Sequence, residues 1–293
     1  MERYTISHFN QDFPNDDACL EWLKNFLYPD GIFCAKCGRI TKHHKDSKRP
    51  SYSCDYCGHH VHPTAGTIFE KSTTPLKLWF HAIYLMSSTR CGISAKQIER
   101  ETGVTYKTAW RMFKQIRSLL CEDTKSLTGE VELDETYVGG KARNMHQAKR
   151  AKLGGRGTAG KTAIFGAVER SGNVVAIAVP NVDRDTLLPH VKKYVMPASI
   201  VYTDEMGAYE PLKQNGYKHH RINHTAKIYV SGDVHTNTIE GFWSLLKRGI
   251  SGVYHSVSEK YLQSYLNEYC FRYNHRSDEK PMFKTVLCQI TTS

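Results

Sequence analysis

Two Cys-x2-Cys pairs, Cys34-Ala-Lys-Cys37 and Cys54-Asp-Tyr-Cys57, stand sixteen residues apart, and nothing else in the chain restricts its fold so tightly. Pairs at this spacing gather four thiolates around one tetrahedral zinc ion. Gly38 and Gly58 follow the pairs and ease the turn that brings both sulfurs of each to the metal. So short a stretch buries too little apolar area to fold alone, and bound metal makes up the difference. Five histidines lie close by (His43, His44, His59, His60 and His62). A catalytic zinc needs an open coordination position, however, and four thiolates leave none. Residues 31–70 are therefore expected to form a zinc ribbon. Cys19, Cys91, Cys121, Cys270 and Cys288 are scattered and read as small core or surface residues.

The 293 residues suffice for two or three domains, and 40% hydrophobic residues with 11% aromatics exclude global disorder. A formal charge of +11 favours a polyanionic partner, nucleic acid before membrane. No apolar run approaches the ~18 residues that span a bilayer. The first twenty residues carry no apolar signal core, so a cytoplasmic, nucleoid-associated protein with reduced thiols is expected.

Residues 1–30 read as a helical lead-in with Leu20, Leu23, Phe26 and Leu27 on one stripe. Residues 71–121 read as three helices. Thr74-Pro75 opens the first. Ser94 and Gln97 form a capping-box pattern for the second. Gly103-Val104 makes the turn, and Thr105 caps a third helix whose Ala109, Met112, Phe113, Ile116 and Leu120 recur at helical spacing. The pattern is a helix-turn-helix, which would aim Tyr106, Lys107, Thr108 and Arg111 at a DNA major groove. A three-helix packing module with a solvated polar face is the plainer reading. Residues 121–129 read as a linker into a larger domain over 122–293.

That domain begins with the alternating Glu130–Val138, which ends near Gly139-Gly140. A basic, glycine-broken loop follows, carrying Lys141, Arg143, Lys149 and Arg150, and its charge suits a clamp on phosphates. Two strands joined at Arg170-Ser171-Gly172 come next, then a helix over 183–195, a strand over 198–204 and helix over 236–275. The order is that of an RNase H-like α/β domain with a mixed five-stranded sheet, whose first and fourth strands lie side by side. Asp134 and Asp204 would then meet.

Glu240 sits on the last helical segment, and Lys247, seven positions on, lies within about 20° of it around the helix. Arg248 extends the basic face. Carboxylates from two strands and a helix suit a pair of Mg²⁺ ions around a phosphodiester. Each acid alone is explained as a solvated element end; the three with Lys247 are not. Asn237 competes with Glu240 as third ligand, His235 is placed to cap the helix or meet substrate, and Glu135 and Glu205 should face away.

The zinc pairs followed by HPTAGTIFEKSTTPLKLWF, then ELDETYVGGK, YTDE and HTNTIEGFWSLLKRGISGVYHSVSEKYLQSYLNEYCFRYN carry a resemblance. From about residue 10 to residue 275 the chain resembles bacterial and archaeal insertion-sequence transposases of the DDE type that bear an N-terminal zinc ribbon, the ISXO-type group. The resemblance implies Asp134, Asp204 and Glu240 as catalytic acids, with Lys247 as basic partner. Some relatives use asparagine or histidine as third ligand, which keeps Asn237 open. It further implies two Mg²⁺ or Mn²⁺ ions beside structural Zn²⁺, double-stranded DNA (transposon ends and target) as partner, and a homodimer or higher oligomer on paired ends. Two alternatives carry over: a catalytically silent DNA-binding regulator, and a nuclease of the same fold that cuts without joining.

Overall fold

Thr5 and Asn15 start the first two helices. Thr5 Oγ1 accepts from His8 N at the head of α1 (Ile6–Asp12), and Asn15 Oδ1 accepts from Ala18 N at the head of α2 (Asp16–Leu27). Asp16 and Asp17 in the first turn of α2 suit its positive end. The structure is a computed structural model that describes residues 4–122, 126–140, 146–148, 158, 160–222 and 235–291. It divides into one unit of Met1–Leu119 with Asp278–Ser293 and another of Leu120–Ser277.

In the first unit, β1 (Phe33–Cys34) pairs with β2 (Arg39–Ile40), and β3 (His43–Lys45), β4 (Tyr52–Cys54) and β5 (His60–Val61) make an antiparallel three-stranded sheet. Three helices follow: α3 (Leu76–Ser88), α4 (Ala95–Thr102) and α5 (Tyr106–Ser118). Two details depart from expectation. Pro75, not Thr74, occupies the N-cap of α3, with no side-chain cap. Only half of the capping box of α4 forms: Ser94 Oγ accepts from Gln97 N at 3.1 Å, while the Gln97 side chain turns to Glu101 Oε1 at 2.6 Å. Gly103, at φ 71°, ends α4 in the left-handed conformation that glycine adopts without strain.

In the second unit, β6 (Glu130–Val138), β7 (Thr162–Glu169), β8 (Val174–Val179), β9 (Ile200–Thr203) and β10 (Lys218–Arg221) form one mixed sheet in the order β10-β9-β6-β7-β8. Counted within the unit this is 5-4-1-2-3, the arrangement of an RNase H-like fold. β6 pairs antiparallel with β7 and parallel with β9. Strand alternation sorts the side chains into two cores. Val131, Leu133, Ala163, Phe165 and Ala167 pack on one face with Leu187 and Val191 of α6 (Arg184–Tyr194). Ile164, Val168, Val174 and Ala176 pack on the other with Phe242, Trp243 and Leu246 of α7 (Asn237–Gly249) and with Leu262 and Leu266 of α8 (Glu259–Asn274). Between these two helices the chain passes through a π-helical turn, Ile250–Tyr254, and a break at His255, φ 60°.

Leu127, expected in a linker, is instead buried in the α6-side core, and its backbone bonds Tyr194 and Met196. The final helix, α9 (Met282–Leu287), belongs to the first unit, where Phe283 packs its ring against Tyr4 and Phe9 at 5.0 and 5.8 Å between centroids. The segment expected to run from 122 to 293 therefore ends, as a compact body, at Ser277. Among the described residues no helix is long and apolar enough to cross a membrane.

Candidate active site

The four cysteine sulfurs converge. Each pair closes a turn, with Cys37 N and Gly38 N donating to Cys34 O, and Gly58 N to Cys54 O. Gly38 and Gly58 both sit at φ 68°, where a side chain would be strained. All four sulfurs lie within 4.8 Å of one another, with Cys34–Cys57 at 3.5 Å and Cys37–Cys54 at 3.9 Å. A tetrahedron with Zn–S of about 2.3 Å has edges of about 3.8 Å, so the set fits structural zinc.

Asp134 sits in the middle of β6, Asp204 just past the end of β9, and Glu240 in the first turn of α7. Parallel register pairs Glu132 of β6 with Tyr202 of β9. Asp134 stands two residues beyond that pair on β6 and Asp204 two residues beyond it, just past the end of β9, so the parallel register brings the two distant aspartates toward each other. Asp134 pairs with Gly166 on its other side. A Cβ on Gly166 would lie 2.4 Å from Trp243 Cζ2, so the missing side chain lets the Trp243 indole come close against the sheet. From there Trp243 Nε1 donates to Asp134 Oδ2 at 2.9 Å. Met206 N donates to Asp204 Oδ1 at 3.0 Å, and Thr236 Oγ1 to Glu240 Oε1 at 3.4 Å.

The Asp134 carboxyl is pushed up to about 6, by burial first and also by the charges of Asp204 and Glu240, against bonds from the Glu135 amide and Trp243 that hold it back. Glu135 points through the sheet to the opposite face, as alternation requires, and Tyr209 donates its hydroxyl to Glu135 Oε1. Burial, then the Asp134 and Asp204 charges, raises Glu135 to about 8.

Asp134, Glu240, Trp243, Ser244, Lys247, Arg248 and Ser251 line a cleft of about 590 Å³. Its helical members recur every three or four residues along α7, so a single face carries Glu240 together with exposed Lys247 and Arg248. Asp204 stands at the end of β9 beside the cleft, not in its lining, and exposed Asn237 does not line it either. Among the described residues only the four cysteines hold three or more ligand atoms within 4.8 Å of one another, so the three carboxylates do not close on a single point. A pair of ions would not need them to: two cations about 4 Å apart, each about 2 Å from its oxygens, spread their ligands over about 8 Å.

His235 does not cap α7. Its carbonyl accepts from Arg170 Nη2 at 2.9 Å, and its Nδ1 lies 3.2 Å from Glu132 Oε1. The cap is Glu132 itself, which reading along the sequence missed; the one available signal was an acid at an inward-facing strand position two residues before Asp134.

On α5, Tyr106, Lys107 and Arg111 are exposed on one face and Thr108 is half-buried, bonded to its cap Thr105. Trp110, 37% exposed on the same face, was not anticipated. Lys141, Arg143, Lys149 and Arg150 of the basic loop lie outside the described residues.

Comparison with known proteins finds the ribbon and the sheet domain in the same order. Residues 126–274 match the ISXO2-like transposase domain, and residues 14–60 match the transposase zinc-ribbon domain. An uncharacterized protein in transposable element ISH50 of Halobacterium salinarum is 30% identical over 289 residues, covering 94% of this chain and 97% of the relative. An uncharacterized transposase-like protein of Haemophilus influenzae is 35% identical over 101 residues, covering 34% of this chain and 80% of that one. Among solved structures, a chain of the simian T-cell lymphotropic virus intasome in complex with PP2A regulatory subunit B56 gamma aligns with 70% of this chain and 74% of its own at a TM-score of 0.34 and 14% identity, too loose to bear on the fold. Two domain matches in the right order, together with a relative aligned nearly end to end, place the chain in the family of ISXO2-like insertion-sequence transposases with an N-terminal zinc ribbon.

Proposed function

We propose that this transposase binds the ends of its element and performs both strand cleavage and strand transfer at the cleft between β6 and α7. The observation that supports the reading is that Asp134 of a strand and Glu240 of a helix line one cleft with Lys247 and Arg248, and that Asp204 stands near enough for its charge to act on Asp134. Hard carboxylate oxygens suit divalent cations, and the charges of Asp204 and Glu240 make an ionised Asp134 costlier without one. Asp134, Asp204 and Glu240 would hold two Mg²⁺ or Mn²⁺ ions, which when bound supply Lewis-acid charge to a phosphodiester and acidify water. The chain itself positions. Trp243 fixes the Asp134 carboxylate, the Met206 amide fixes that of Asp204, and exposed Lys247 and Arg248 draw the DNA backbone to the cleft. The exposed face of α5, with Tyr106, Lys107, Thr108 and Arg111, together with Lys141, Arg143, Lys149 and Arg150, binds duplex DNA. Two or more copies act on paired ends.

Asp134→Asn and Asp204→Asn should each abolish cleavage and joining of labelled element ends while leaving end binding in a gel shift within about twofold of the parent. Joining by either variant would remove those acids from the chemistry. Ends cut but never joined by the parent protein would favour a nuclease, and no Mg²⁺-dependent nicking at all would favour a silent DNA-binding regulator.

A further inference from the structure

The head of α7 lacks a cap of its own. Thr236 occupies the N-cap position at φ −119° and ψ 24° and offers no side-chain bond to the helix amides. Those amides are nonetheless satisfied. Glu132 Oε2 accepts from Thr238 N at 2.8 Å and from Ile239 N at 3.0 Å, and Glu132 Oε1 accepts from the Thr238 hydroxyl at 2.9 Å. The capping residue thus comes from β6, more than a hundred residues earlier in the chain.

Glu132 is completely buried. A buried carboxylate is costly unless its charge is matched and its lone pairs are filled. Arg170 supplies the match: Nε donates to Glu132 Oε1 at 2.8 Å and Nη1 to Glu130 Oε2 at 2.6 Å. The same guanidinium lies 4.1 Å from the Tyr202 ring centroid and donates to the His235 carbonyl at 2.9 Å. It therefore ties β6, β9 and the approach to α7 into one cluster. The helix N-terminus adds its own favourable field for the anion.

The placement gives this cluster a functional meaning. Glu132 and Asp134 point to the same side of β6, about 7 Å apart along the strand. Thr238 and Glu240 lie in the same first turn of α7. Neighbouring side chains of one strand therefore hold both the first acid and the helix bearing the third. We propose that Glu132 is a positioning residue: its buried carboxylate, braced by Arg170, caps α7 and sets where Glu240 stands relative to Asp134. The inference rests on the reading above that these two acids share a divalent-ion site.

The test uses the full chain with Glu132→Ala, Glu132→Gln and Glu132→Asp, and a spectroscopic titration with Mn²⁺ alone as direct probe. In Glu132→Ala, the amides of Thr238 and Ile239 should lose hydrogen-exchange protection. Mn²⁺ affinity and the Mg²⁺ concentration for half-maximal cleavage should each worsen at least about tenfold (~1.4 kcal/mol), with end binding unchanged. Glu132→Gln keeps an oxygen at the helix amides and should recover most of the ion affinity; Glu132→Asp, one methylene short, should recover less. Should Glu132→Ala fail to fold, Thr238→Val removes one of the three bonds and should shift Mn²⁺ affinity about twofold to threefold. Parental Mn²⁺ affinity in Glu132→Ala, or in Thr238→Val where that variant stands in, would overturn the inference. Asp134→Asn separates the two readings. If it still joins ends, the site reading falls and this one with it. If it is inactive while Glu132→Ala keeps parental Mn²⁺ affinity, only the role of Glu132 falls.

Discussion

Trp243 Nε1 donates a 2.9 Å hydrogen bond to Asp134 Oδ2, so the helix that carries Glu240 also grips the aspartate of the central strand. The indole is buried, 4% exposed, and its bond selects one orientation of a carboxylate that would otherwise rotate. Trp243→Phe keeps the packing and removes the donor. Single-turnover cleavage should slow about tenfold, ~1.4 kcal/mol of barrier, with a stability loss of about 1 kcal/mol and unchanged end binding. A parental cleavage rate would show that this bond does not matter to the chemistry.

Gly166 makes that contact sterically possible. In Gly166→Ala the new methyl would meet Trp243 Cζ2 and Cη2 at 2.4 and 2.5 Å, rigid ring atoms rather than the end of a flexible chain. Overpacking of this kind costs about 1–3 kcal/mol. Urea unfolding should show the loss, and the tryptophan emission should shift as the indole moves. A variant with parental stability and emission would mean that the ring has room to yield.

Removal of zinc should unfold the ribbon and spare the fold of the sheet that carries the cleft. Total metal analysis should find roughly one zinc per chain, matched to four thiolates. Chelation, or Cys54→Ser, should destroy the order of β1 to β5 in hydrogen exchange and weaken end binding. The same treatment should leave the exchange pattern of β6, β7 and β8 intact. Loss of protection in those strands as well would show that the second unit depends on the ribbon for its fold.

His219 predicts an acid limb to stability. It is 6% exposed on β10, and because the Thr203 hydroxyl donates to the Asp204 carbonyl, His219 Nε2–H donates to Thr203 Oγ1 at 2.8 Å. Burial, followed by the charges of Arg221, Lys213 and His220, lowers its pKa from 6.5 to about 4. The folded state therefore favours neutral imidazole. This contribution is complete above about pH 6.5, falls as pH drops because the unfolded chain takes up the proton first, and is gone by about pH 4, a loss of up to about 3 kcal/mol. His219→Asn should flatten the stability–pH curve between those limits. An unchanged slope would assign the acid limb to other groups.

Much of this architecture was legible along the chain. The strands around Phe165 and Ile177, the helix capped by Asp183 and the knuckle turns at Gly38 and Gly58 are announced by alternation, capping and spacing, which act between residues close in sequence. β10 was not legible. Lys218, His219, His220 and Arg221 give no apolar alternation, because an edge strand buries little; here only His219 goes inside. Leu127 read as linker for a related reason: a single apolar residue has no period, yet it is buried beneath Val195.

The sequence by itself determined the zinc ligands and most of the strands and helices, which rest on local spacing, and it offered the three acids with Lys247 as a candidate set. Only the tertiary structure decided which partner each acid meets. The parallel register of β6 and β9 brought Asp134 and Asp204 toward each other, the bare surface of Gly166 admitted Trp243, and Glu132 became the cap of a helix more than a hundred residues away. The physical reason is that such partners are selected by packing and by the need to satisfy buried charge, and both depend on neighbours brought in by the fold from remote parts of the chain.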